Sequence, residues 1–136
     1  MIIHDINAWS EKFELADAEY YQLRMEAVKK SLDFLFEEVR ETERAFVVFG
    51  LDDTPNFVEY VLDGFGDVAF IAINGIYKTF RALGQDVDSA KANTYTVLNR
   101  IVAANWEKLH NGEVVKVNGK VTKPKDWQEP TYGDLL

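Results

Sequence analysis

The chain has 136 residues, 47% hydrophobic and 28% charged, the composition of one soluble globular domain with a single sizeable core. No cysteine and only two histidines, His4 and His110, exclude disulfides, thiolate metal sites, a cysteine nucleophile and a histidine-rich centre. The net charge of −8 is uneven, with 16 acids and 6 bases over residues 1–67 against 7 and 9 over 68–136, so the basic footprint that nucleic acid requires is missing.

The N-terminus lacks the basic and long apolar regions of a signal peptide. No apolar run approaches the ~18 residues of a membrane span, so a cytoplasmic chain without membrane association is expected. Asp5 is placed to cap a first helix from about 6 to 15, and Asp17 a second from about 18 to the middle forties. Residues 50–55, Gly-Leu-Asp-Asp-Thr-Pro, read as a loop. A third helix follows over about 56–83, stopped by Gly84. Asp88 or Ser89 opens a fourth, which ends near His110 before Asn111-Gly112. Val114–Val117 and Lys120–Thr122 flank Asn118-Gly119 as a β-hairpin, and two prolines make the tail from Pro124 irregular. The expected fold is all-α: a four-helix bundle with a small C-terminal β-hairpin and arm. It forms one domain over 1–136, with a helical core over about 5–110 and the hairpin and arm over 111–136.

Two acidic stripes stand out. Glu37, Glu38 and Glu41 fan across roughly a third of the second helix's circumference, opposite Leu32, Leu35, Phe36 and Val39. A solvated face would explain them. However, the same wheel puts Leu23, Ala27, Phe34 and Ala45 on the acidic side, so the acids interrupt an apolar surface. The third helix is apolar over most of its circumference and reads as buried nearly all round. Its one polar stripe is Glu59, Asp63, Asp67 and Asn74, with Lys78 and Arg81 beyond. Asp63 and Asp67, one turn apart, are spaced to share an ion. Gly64 and Gly66 weaken the helix, which suits a close backbone approach there. A polar seam paired with Lys78 and Arg81 is the plainer account, but two stripes on adjacent buried helices favour a metal site. Oxygen-only ligands point to Mg²⁺ or Mn²⁺. A di-iron centre needs two Glu-x-x-His motifs, and only Glu107-Lys108-Leu109-His110 is present.

After the fourth helix, Asn105, Lys108, Lys116, Lys120, Lys123 and Lys125 interleave with Trp106, Trp127 and Tyr132. A flexible lysine-rich arm of this kind is suited to neutralising the outer oxygens of metal-bridged phosphates and closing over a nucleotide.

These residues resemble the all-α nucleoside triphosphate pyrophosphohydrolases, the MazG-like and phosphoribosyl-ATP pyrophosphohydrolase-like group, whose pattern is Glu-Glu-x-x-Glu on one helix and Glu-x-x-Asp on the next. Glu37-Glu38-x-x-Glu41 fits the first half in full. In the second, Asp67 fits, but Gly64 stands where the glutamate belongs and Asp63 lies one residue earlier. Asp63 through Val68 with Gly75 and Gly84, residues 102–109, and the hairpin 118–124 with Trp127 and Pro130 are similar to a bacterial and phage subgroup. The resemblance spans about 18–132. It implies an all-α homodimer, or a tetramer of paired dimers, that cleaves a (d)NTP to the monophosphate and pyrophosphate in nucleotide-pool house-cleaning. Glu37, Glu38, Glu41, Asp63 and Asp67 would hold Mg²⁺, with Mn²⁺ as substitute, and one of the three glutamates would orient or deprotonate water. Lys108, Lys120 and Lys123 would meet phosphates and Asn105 base or sugar. Phosphoribosyl-ATP as substrate, or a non-catalytic nucleotide- or metal-binding bundle, are the alternatives.

Overall fold

The computed structural model describes residues 2–16 and 25–136. Among them are four helices, α1 (Ile2–Ala16), α2 (Met25–Phe49), α3 (Pro55–Ala82) and α4 (Val87–Trp106). A two-stranded antiparallel hairpin follows, β1 (Lys116–Val117) and β2 (Lys120–Val121), then a 3₁₀ turn at Gly133–Leu135. The mostly helical expectation holds. No described helix is long and apolar enough to cross a membrane. The chain divides into two compact units, 1–91 and 92–136.

In the first unit, α2 and α3 form an antiparallel hairpin. Phe57 packs edge-on to Phe46, with centroids 5.1 Å apart, and Ser31 accepts a 2.9 Å hydrogen bond from Lys78 at the far end. Pro55 occupies the first position of α3, where its missing N–H is no loss. Gly84 ends the helix at φ +88°, donating to Arg81 O while Gln85 donates to Phe80 O. This pair of bonds needs a left-handed residue, as expected of Gly84. Helix α1 lies against α3 through polar contacts: Asn74 donates to Ser10 Oγ at 2.6 Å, and both Tyr77 and Arg81 donate to Glu14 at 2.8–2.9 Å.

Several expected boundaries move. Helix α1 begins at Ile2, so Asp5 sits inside the first turn, where its charge favours the helix dipole rather than capping it. The proposed Asp17 cap and Leu23 lie outside the described residues. Helix α4 is opened by Asp86, not Asp88 or Ser89: its carboxylate accepts from Ser89 N at 2.8 Å and Ser89 Oγ at 3.0 Å. Those bonds hold its carboxyl below the usual range. The helix stops at Trp106 rather than His110, because His110 and Glu113 exchange backbone bonds across the Asn111-Gly112 turn.

Helix α3 is not buried nearly all round. Leu62 and Phe65 are 65% and 64% exposed, and Val58 and Tyr60 are exposed beside them. Its burial is confined to the side facing α1 and α2, leaving the N-terminal half open in the single chain.

In the second unit, Asn118 (φ 51°) and Gly119 (φ 77°) make the two-residue turn that Asn-Gly favours. The register pairs Lys116 with Val121 and Val117 with Lys120. The tail is not a loose arm. Arg100 grips Asp134 through two bonds of 2.7 and 2.6 Å, and Trp127 Nε1 donates to Ala104 O at 2.7 Å.

Candidate functional site

The buried line of α2 runs Ala27, Ser31, Thr42 and Ala45, all small, which lets α3 approach closely. Glu38 lies on that line, half-buried between Ser31 and Thr42. Facing it, Gly64 is buried against Thr42. A Cβ added at Gly64 would lie 2.0 Å from Thr42 Oγ1 and 3.0 Å from Thr42 Cβ. Gly64 is therefore the close-approach point the sequence suggested. Gly66 is not, since a Cβ there meets nothing within 4 Å.

Asp63 and Asp67 flank this contact on α3. The Glu38 carboxyl is pushed above its ordinary value, first by burial and then by the charges of Asp67, Glu41, Glu37 and Asp63. The other four expected carboxylates, from both helices, thus act on Glu38. Even so, among the described residues no group of three carboxylate or imidazole side chains is placed to hold a metal ion. The donor set remains chemically suited to a hard divalent cation, being carboxylate oxygen throughout.

Lys78 and Arg81 do not turn toward these acids as a paired seam would require. Lys78 is buried, donates to Ser31 Oγ and lies 5.5 Å from the Phe13 ring centroid. Arg81 pairs with Glu14 of α1. The acidic side of the α2–α3 hairpin contrasts with the other side. There Leu32, Phe36, Val39, Leu62 and Phe65 are exposed, and two apolar hollows of about 350 and 300 Å³ lie between the helices.

In the second unit the expected phosphate lysines are engaged with an aromatic ring. Lys108 and Lys123 lie 5.4 and 4.0 Å from the Trp127 centroid. Asn105 Oδ1 accepts from Lys108 at 2.6 Å, while its Nδ2 donates to Ile101 O. Lys120 stands exposed on β2, opposite Val117, apart from this group. His110 lies past the end of α4, with Nε2 3.1 Å from Thr122 Oγ1, so Glu107 and His110 do not share a helical face.

Sequence reasoning missed the Thr42–Gly64 contact, because a threonine on a charged helix carries no pattern of its own. It also passed over Trp9 and Phe13, whose four-residue spacing was a usable signal. No protein-family model matches the chain, and no curated protein or solved structure matches it.

Proposed function

We propose that the chain is a Mg²⁺-dependent nucleoside triphosphate pyrophosphohydrolase that cleaves a (d)NTP to (d)NMP and pyrophosphate. The observation that supports this reading is the raised Glu38 carboxyl, surrounded by four further acids from two helices that meet at a glycine. A divalent cation bound there would offset the charges that act on Glu38, and that relief is itself a source of affinity.

Glu37, Glu38, Glu41, Asp63 and Asp67 would hold the ion, with Mn²⁺ as substitute, and bound Mg²⁺ would offset the charge of the triphosphate oxygens. A helix-α2 glutamate orients the attacking water and takes its proton as oxygen bonds to phosphorus and pyrophosphate leaves. Lys108, Lys120, Lys123 and Asn105 are candidates for the substrate's outer contacts. For Lys108 and Lys123 this role requires leaving the Trp127 ring. The test is pyrophosphate release from a panel of (d)NTPs and phosphoribosyl-ATP with Mg²⁺. Within it, Asp63→Asn and Asp67→Asn should each lower turnover by tenfold or more (~1.4 kcal/mol). A silent Asp63→Asn beside a dead Asp67→Asn would remove Asp63 from the ligand set and bring Glu59 forward. Tight nucleotide binding without turnover would favour the non-catalytic alternative.

The exposed apolar side of the α2–α3 hairpin carries the second part of the reading, a homodimer or a tetramer of paired dimers. Exposed apolar residues that continue along both helices, as Leu32, Phe36 and Val39 do on α2 and Leu62 and Phe65 on α3, are the kind of surface that association covers. Sedimentation equilibrium should return twice the chain mass or more. Phe65→Lys, which charges the centre of that side, should shift the chain to monomer. A wild-type monomer at high micromolar concentration would sink the dimer.

A further inference from the structure

We propose that the β1–β2 hairpin of one copy docks on the tip of the α2–α3 hairpin of a second copy, matching lysine to acid and valine to apolar side chain. The proposal rests on the reading of the chain as a dimer and names the surfaces that meet. At the tip, Val47 is 80% and Leu51 94% exposed, with Val48 and Phe49 exposed between them. Over 45–60 the acids are Asp52, Asp53 and Glu59, and there is no base. An exposed apolar run followed by acids repels nucleic acid and anionic lipid, and favours a cover that is both apolar and basic.

The chain carries such a cover. Over 114–125 the charges are Lys116, Lys120, Lys123 and Lys125, with no acid, and Val114, Val115, Val117 and Val121 are exposed among them. The register sets Lys116 opposite Val121 and Val117 opposite Lys120. Opposed residues share a face, so each face of the hairpin presents one lysine and one valine. A two-stranded hairpin open on both faces has no core of its own and gains most from packing against another element. Lys123 is engaged with Glu129 and the Trp127 ring, and Lys125 adjoins Asp126, so Lys116 and Lys120 are the pair assigned to the tip. Tip and hairpin are both exposed in the single chain, so the cover for each comes from another copy. A two-fold axis makes the contact twice, hairpin on tip and tip on hairpin, and closes the pair. Val58 and Tyr60 continue the tip into the exposed side of α3 that the dimer reading assigns to the interface.

The test is sedimentation equilibrium on two charge-reversed chains, alone and mixed. Lys116→Glu/Lys120→Glu puts acid against acid at both contacts, and Asp53→Lys/Glu59→Lys puts base against base. Each alone should dimerise about tenfold or more weakly than wild type. Mixed in equal amounts they should recover the wild-type affinity, because each hairpin then meets a tip of opposite charge. Recovery on mixing requires that both chains are folded and that the contact runs between copies. A second readout uses the wild-type chain, with equal ¹⁴N- and ¹⁵N-labelled samples equilibrated together before carbodiimide coupling. Lys116 or Lys120 should be joined to Asp52, Asp53 or Glu59 in peptide pairs of mixed isotope. Reversed chains that dimerise as well as wild type, or that stay weak when mixed, overturn the docking while sparing the dimer. Pairs of a single isotope alone put the contact within one chain and overturn it as well. A wild-type monomer removes the dimer and the docking together.

Discussion

Glu38→Gln should lower Mg²⁺-dependent pyrophosphate release by about 100-fold or more while making the metal-free chain more stable. The two effects have one cause. Folding places Glu38 among Asp67, Glu41, Glu37 and Asp63 and partly buries it, which raises its proton affinity. Between the ordinary carboxylate range and that raised value, the folded chain keeps a proton that the unfolded chain has released. Stability therefore falls as pH rises through this window. Below it both states are protonated and the penalty vanishes. Glutamine keeps the volume and removes the charge. The variant should melt above wild type in chelator at pH 7, with the two curves converging toward about pH 4. Saturating Mg²⁺ should raise the wild-type melting temperature and move the variant much less, by ligand linkage. Near-normal turnover in the variant would end Glu38's assignment. Identical wild-type melting with Mg²⁺ and with chelator would count against a metal site in the seam.

What was legible in the sequence follows from which forces leave a pattern. Helix existence is written in periodicity, and Gly84 and Asn118-Gly119 mark left-handed backbone that few other residues accept, so these features were placed correctly. Helix starts were less legible. Asp86, Asp88 and Ser89 are all plausible caps, and only the geometry of the chain leaving Gly84 selects Asp86. Apolar content on α3 suggested burial, but hydrophobicity does not say whether the covering surface belongs to the same chain. Leu62 and Phe65 are exposed in the single chain. The five carboxylates could be grouped by helical spacing because each set lies on one helix. Their spacing across the seam could not, because it depends on how near α3 comes to α2. The lysines around Trp127 show the same limit from the other side, since composition reveals a basic tail and not the ring its charges rest on.

That approach of α3 to α2 is set at Gly64, and Gly64→Ala should destabilise the chain despite improving helix propensity. Alanine gains ~1 kcal/mol over glycine within a helix. Against this, the new Cβ would sit 2.0 Å from Thr42 Oγ1, 3.0 Å from its Cβ and 3.1 Å from its Cγ2. Rotating Thr42 would give up its 2.8 Å bond to Glu38 O and would still leave its Cβ in place. The helices must separate, and overpacking of this kind costs about 1–3 kcal/mol, so after the propensity gain a net loss of up to about 2 kcal/mol is expected. Thr42→Ala removes the two atoms that can be removed. The double variant Gly64→Ala/Thr42→Ala should recover most of the loss, giving a coupling above ~1 kcal/mol in denaturant unfolding. Strictly additive single effects would show that the contact does not set the helix spacing. Function should follow the same geometry, because Glu38 lies one turn from Thr42, and Asp63 adjoins Gly64. Widening the seam by Gly64→Ala should weaken the stabilisation by Mg²⁺ even where the chain remains folded. Gly64→Glu restores the residue of the resembling family but puts a longer side chain into the same 2.0 Å conflict. It should lower stability further and fail to raise turnover. A gain in activity from Gly64→Glu would mean that α2 and α3 can separate at no loss, and that Asp63 stands in for a ligand the fold has room to hold.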